Sequence, residues 1–198
     1  MIRILAISGS LRADSSNTRL LRAMAILAPE SVEIELFDGI GELPHFNSDL
    51  DVEPGPPSVV AFRERLKAAD GVLICSPEYA HGVPGSLKNA LDWVVGSGEL
   101  VDKPVALINA SPRATLAQAT LAETLRVMTA DLRADASIAV PLLGRTLDDA
   151  GIVADPELSS ALKTALDTFS RALRRSIDSP TDPAEFRACD GPSASEET

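Results

Sequence analysis

Ser8-Gly9-Ser10-Leu11-Arg12-Ala13-Asp14-Ser15-Ser16-Asn17-Thr18 gathers hydroxyls, a carboxamide and a guanidinium into one short stretch of the chain. Neutral donors beside a fixed positive charge suit an anion with several oxygens, above all a terminal phosphate. Each hydroxyl offers a hydrogen bond, and Arg12 offers a planar fork. Apolar residues at helical spacing follow (Leu20, Leu21, Met24, Leu27), so a helix directs its free N–H groups back at the same loop. The stretch lacks the Gly-Lys-Ser/Thr ending of a Walker loop and the three glycines of a dinucleotide fingerprint. If the loop were only structural, Ser16 or Asn17 would cap the helix and the other hydroxyls would face water.

A second stretch, Ser76-Pro77-Glu78-Tyr79-Ala80-His81-Gly82-Val83-Pro84-Gly85-Ser86-Leu87-Lys88-Asn89-Ala90-Leu91-Asp92-Trp93, offers rigidity rather than charge. Pro77 and Pro84 stiffen the loop, while Gly82 and Gly85 permit close backbone approach. Exposed N–H and C=O groups on a stiff loop can border a flat heterocycle, and Tyr79 adds an aromatic face or a phenolic donor. Glu78 has no residue nearby in sequence that would tune it as a base, so only backbone contacts and a structural salt bridge are expected of it. His81 reads as an exposed loop histidine, and Trp93 as a packing or interface anchor. Leu87, Leu91 and Val94 keep helical spacing and belong to the core.

Both stretches need strands to place them. Ile2–Ile7, Val72–Cys75 and Val105–Asn109 are apolar runs of buried-strand length. Val32–Phe37 alternates like an edge strand, and Ala136–Val140 reads as the last strand. Helices are expected over 17–27, 58–69, 84–95, 116–132 and 156–172, the last behind the cap Asp155. The segment 38–57, with Pro44, Pro54, Pro56 and Pro57, is a long irregular connection of the kind that carries function or an interface. Strands alternating with helices give a three-layer α/β sandwich. Right-handed crossovers favour a doubly wound, parallel, five-stranded sheet in the flavodoxin-like order 2-1-3-4-5. Its switch point, between the first and third strands, brings the two stretches side by side.

Composition narrows the class of partner. A net charge of −11 over 198 residues argues against nucleic acid, whose phosphates require clustered Lys and Arg. No apolar run approaches a membrane span. Cys75 and Cys189 have no metal or redox partner pattern, and with no leader at Met1 the reading is cytoplasmic. From Ser176 onward Asp178, Asp182, Glu185, Asp190, Glu196 and Glu197 face Arg187 alone. The chain therefore divides into a domain over 1–175 and an acidic tail over 176–198 expected to be disordered.

Gly9-Ser10-Leu11-Arg12, Ser15, Asn17, Ser76-Pro77-Glu78-Tyr79 and Pro84 through Trp93 together resemble the NADPH-dependent FMN reductase family of flavodoxin-like flavoproteins, which includes quinone, chromate and azo reductases. The resemblance covers residues 2 to 172. It implies that Ser10, Arg12, Ser15 and Asn17 hold the phosphate of FMN, and that Pro77, Glu78 and Tyr79 border its ring and ribityl chain. Lys88, Asn89 and Asp92 match a helix that supports the loop and often meets another subunit, so a homodimer or homotetramer is implied.

Ser111 matches the serine that follows the fourth strand in the family, but the segment Asn109-Ala110-Ser111-Pro112-Arg113-Ala114-Thr115 lacks the glycines usual there. Arg113 in that segment faces either the phosphate of a nicotinamide cofactor or water. The implied activity passes hydride from NADPH or NADH to bound FMN and then to an acceptor (free flavin, quinone or similar) in a two-step exchange. The cofactor carries such chemistry, in agreement with a sequence that offers no nucleophile triad. Two alternatives share the scaffold. One is a non-enzymatic FMN-binding electron carrier or redox-responsive module. The other is a phosphate-ester hydrolase, for which Asp14 is the acidic candidate.

Overall fold

The computed structural model describes residues 1–12, 14–142 and 144–178. In chain order the elements are β1 (Ile2–Ser8), α1 (Ser16–Leu27), β2 (Val32–Phe37), α2 (Pro57–Ala68), β3 (Gly71–Cys75), α3 (Gly85–Val95), β4 (Pro104–Asn109), α4 (Thr115–Val127), β5 (Asp131–Leu132), β6 (Ile138–Ala139), α5 (Asp149–Ala154) and α6 (Pro156–Asp178). The sheet is parallel throughout, in the order β2-β1-β3-β4-β5, and β6 also pairs with β4. This is the expected flavodoxin-like doubly wound order. β3 and β4 are buried along their whole length, which explains why their residues are apolar on both faces.

Two hydrophobic clusters lie on opposite faces of the sheet. Leu20, Leu21 and Met24 of α1 meet Leu158, Leu162, Phe169 and Leu173 of α6 on one face. Phe62 and Leu66 of α2, Leu87, Leu91 and Trp93 of α3, and Leu121 and Leu125 of α4 fill the other. Strand alternation feeds both: Ile4 and Ala6 belong to the first cluster, Leu5 and Ile7 to the second.

The fifth position of the sheet departs from expectation. Of the expected run Ala136–Val140 only Ile138–Ala139 forms a strand, β6, and it does not fill that position alone. β5 and β6 are two short segments that share that position beside β4. Between them the Ser137 hydroxyl accepts the Leu107 N–H at 3.0 Å, so a side chain stands in for a backbone carbonyl. The intervening Arg133 turns back to pair with Asp131 and Asp135. The helix expected to reach Leu132 ends at Val127, because Thr129 takes a left-handed φ of 57° and Ala130 N–H closes on the Leu125 carbonyl at 3.0 Å. Asp131 and Leu132 are thereby released into the sheet.

Two elements extend what the sequence indicates. α5 begins behind Asp148, whose Oδ1 accepts from Gly151 N–H at 2.7 Å. Asp155 caps α6, accepting from the N–H groups of Glu157 and Leu158. α6 then runs to Asp178, so Ser176, Ile177 and Asp178 are helical, and the rest of the acidic segment lies outside the described residues. Single turns at Gly39–Gly41 and Ser48–Leu50 interrupt the irregular connection before α2. α3 anchors that connection: Asn89 accepts from Phe46 N–H at 2.7 Å and donates to the Pro44 carbonyl at 3.0 Å. Trp93 Nε1 donates to the same carbonyl at 2.7 Å.

Candidate functional site

β1 and β3 are adjacent and parallel, with Ser8 level with Cys75, so the loops that leave them emerge side by side. Gly9 N–H donates to the Cys75 carbonyl at 2.8 Å. A Cβ added to Gly9 would lie 2.7 Å from Ser76 Oγ and 3.1 Å from a Leu87 methyl, so only glycine lets the two loops touch here.

In the first loop the hydroxyls are organised by one another. Ser15 is the N-cap of α1, its Oγ accepting from Asn17 N–H at 3.3 Å, so the cap is neither Ser16 nor Asn17. Thr18 donates to Ser8 Oγ at 2.8 Å, and Ser10 Oγ accepts from Arg12 N–H at 3.3 Å. Asp14 points outward and is held by Arg19, whose Nε donates to it at 2.7 Å. That hydrogen bond keeps the Asp14 carboxyl below its ordinary pKa, leaving it ionised and turned away from the loop interior. A phosphoester hydrolase built on Asp14 finds no support in this arrangement.

The second loop is a two-residue hairpin turn. Tyr79 and Gly82 exchange N–H···O=C bonds at 3.0 and 2.9 Å, and Ala80 (φ 49°) and His81 (φ 64°) occupy the left-handed corner positions. The glycine expected to supply freedom is thus one residue past the strained corner. Glu78 is committed on both oxygens: Oε2 accepts from Ala117 N–H in the first turn of α4 at 2.9 Å, and Oε1 lies 3.0 Å from His81 Nδ1. These contacts, led by the Ala117 N–H, hold its carboxyl below the ordinary range. Its side chain ties the turn to α4. Tyr79 is 53% exposed.

The third loop follows β4 and is held by Asn109. Its Oδ1 accepts from Ser111 N–H at 2.9 Å and its Nδ2 donates to the Ala114 carbonyl at 3.1 Å. Ser111 Oγ in turn accepts from Arg113 N–H at 3.3 Å. An asparagine with both ends of its amide engaged shapes a loop that contains no glycine.

The expected site residues do not all line one bowl. Asn17, Pro77, Glu78 and Ser111 surround a cavity of about 560 Å³ together with Arg113 and Arg145. Ser10 and Arg12 face a second cavity of about 330 Å³ on the other flank of the first loop, beside Thr18 and Asp38. Arg12 also meets Tyr79 across a depression of about 370 Å³ floored by Gly9 and Pro84. Ser15, the cap of α1, is buried. Asn109, Leu142, Gly144, Arg145 and Thr146, which no sequence motif singled out, also line the largest of these three spaces. The signal was available: they end or follow strands at the same edge of the sheet, where ligands of this architecture bind.

A family model described as NADPH-dependent FMN reductase matches residues 2–136. The chain is 45% identical over 116 residues to a protein of Oryza sativa subsp. japonica named "Probable NADPH:quinone oxidoreductase 2", covering 56% of each. It is 39% identical over 106 residues to a quinone reductase of Escherichia coli K12, covering 53% of this chain and 55% of that one. The chain spans about half the length of the curated relatives it matches. Among solved structures, the flavoenzyme NAD(P)H:(acceptor) oxidoreductase FerB from Paracoccus denitrificans aligns with a TM-score of 0.78 at 31% identity, over 88% of this chain and 98% of that one. An NADH:FMN oxidoreductase in apo form aligns at 0.58 and 18% identity, over 93% of each, a likeness of fold.

Proposed function

The chain belongs to the NADPH-dependent FMN reductase family, and we propose that it binds FMN at the β1/β3 switch point and works as an NAD(P)H-dependent oxidoreductase on a small acceptor such as a quinone. The observation that carries this reading is the contact of the two loops at Gly9 and Ser76 beside the cavity that Asn17, Pro77 and Ser111 line. The donor set fits a phosphorylated flavin. Hydroxyl, amide and guanidinium groups surround the loops, and the one carboxylate lining the 560 Å³ cavity, Glu78, is already satisfied by Ala117 N–H and His81. In that cavity an anion is therefore met by donors rather than by a free negative charge.

FMN, when bound, would supply the redox chemistry of a two-step exchange between NAD(P)H and the acceptor. The chain's own residues bind and orient. The first loop would hold the phosphate end, with Ser10 and Arg12 approaching from one flank and Asn17, fixed by Ser15 at the start of α1, from the other. Pro77, the Glu78 main chain and Tyr79 present a stiff edge to the ring. Ser111, positioned by Asn109, and Arg113 border the opening through which nicotinamide and acceptor exchange.

A homodimer or homotetramer completes the proposal. Val95 and Val127, 58% and 76% exposed, flank a shallow groove between α3 and α4 that also contains the Lys88–Asp92 ion pair, and this face suits a second copy. We also propose a cytoplasmic setting, in keeping with the free buried thiol of Cys75. No described helix is long and apolar enough to cross a membrane.

Titration of the purified chain with FMN and with riboflavin, followed by flavin fluorescence, tests the binding reading. Tight FMN binding with weaker riboflavin binding is expected. Equal affinity for the two flavins would remove the phosphate from the account.

A further inference from the structure

Cys75 ends β3 at the point where the two loops meet. Its side chain is buried in the cluster of Leu20, Leu21, Leu73 and Ile108, where a thiol passes for a small hydrophobe. Yet Sγ lies 3.2 Å from Asn17 Oδ1 and donates to it. Asn17 is itself buried, 8% exposed, and its Nδ2 makes a long 3.4 Å contact to Ser15 Oγ, the atom that also accepts Asn17 N–H. Asn17 lines the cavity of about 560 Å³.

A carboxamide can be turned end for end with almost no change of shape, so its partners decide which end points where. In the observed orientation Oδ1 is satisfied by the thiol, and an Nδ2 hydrogen is left for the cavity. The reversed orientation would leave Nδ2 only the weak sulfur acceptor, forfeit the S–H···O bond, and turn Oδ1 toward the space where phosphate oxygens are proposed to sit. Burial pushes the Cys75 thiol up in pKa, so its proton is present across the physiological range. An alkyl group of similar size would fill the space without choosing between the two orientations, and it would leave Oδ1 buried without a partner.

We propose that Cys75 is a positioning residue for flavin phosphate binding: its S–H fixes the Asn17 carboxamide so that Nδ2 donates toward the cavity. The proposal rests on the reading of Asn17 as a phosphate-facing residue.

The test compares FMN and riboflavin affinities of the full chain with those of Cys75→Val, Cys75→Ala and Cys75→Ser, using thermal unfolding to confirm folding. Valine and alanine are expected to weaken FMN binding about tenfold, the scale of one lost hydrogen bond, while riboflavin binding stays near wild type. Serine, which keeps an O–H donor, is expected to restore FMN affinity. In an Asn17→Ala background Cys75→Val should cause no further loss. Equal losses for FMN and riboflavin, a serine variant as weak as valine, or folded valine and alanine variants with wild-type FMN affinity would each overturn the proposal. A wild-type chain that binds neither flavin would overturn the FMN reading itself, and this proposal with it.

Discussion

The two loops at the switch point are neighbours built on opposite principles. Between Ser8 and Thr18 the side chains make the site: hydroxyls bond to one another, Ser15 caps α1, and Arg12 reaches two separate spaces. Between Ser76 and Gly82 the side chains serve the backbone: Glu78 is anchored to α4 and His81, and a tight turn fixes the main chain. A loop of the first kind is tuned residue by residue, whereas one of the second kind succeeds or fails as a shape.

The largest effect is expected where the two meet. Gly9→Ala places a Cβ within 2.7 Å of Ser76 Oγ and close to Leu87, so the loops must separate. FMN affinity measured by fluorescence should fall by more than about a hundredfold, with a lowered unfolding temperature, because both halves of the site shift together. An alanine variant with native affinity would mean that the two loops act independently.

Next comes the side-chain loop alone. Arg12→Ala should weaken FMN about tenfold to a hundredfold, as expected for a charge-assisted hydrogen bond, and leave riboflavin nearly unaffected. The split between the two flavins, read from paired titrations, separates a phosphate contact from general packing.

The shape-dependent loop should instead respond to pH. Glu78 has its carboxyl pKa lowered in the folded chain, chiefly by Ala117 N–H. Its contribution is complete above the unfolded carboxyl pKa, about 4.3, and is lost as pH falls through the lower folded value. Thermal stability should therefore decline on acidification through that window. Glu78→Gln should decline less over the same range, which parallel melting curves would reveal.

The smallest expected change is a gain. Ala80 sits at φ 49°, a conformation that costs an L-residue about 1 kcal/mol, so Ala80→Gly should raise stability by up to that amount in chemical denaturation. A loss of stability on that substitution would show that the Ala80 methyl packs against something the turn needs.

The contrast between the loops also explains what was legible in the sequence. Apolar runs identified β1, β3 and β4, since a strand buried on both faces has no polar residue to spare, and strand order followed from crossover handedness. Asp155 announced α6 because a cap is a local event. The break at Ser137 was not legible: it depends on a hydroxyl meeting Leu107 N–H across thirty residues of chain. The end of α4 was hidden because Thr129, and not a glycine, takes the left-handed position. At the site, residue types announced an anion, but the division of Ser10 and Arg12 from Asn17 and Ser111 depends on which flank of the loop each side chain takes. The anchoring of Glu78 to α4 likewise needs the two elements to be packed before it can be seen.

Both loops together are proposed to hold a flavin that NAD(P)H can reduce. Anaerobic mixing of the FMN-loaded chain with NADPH, and separately with NADH, tests it by following the visible absorption of the flavin. Rapid bleaching with at least one nicotinamide is expected, with recovery of the colour when a quinone is added. A chain that binds FMN but is bleached by neither nicotinamide would contradict it and leave an FMN-binding electron carrier in its place.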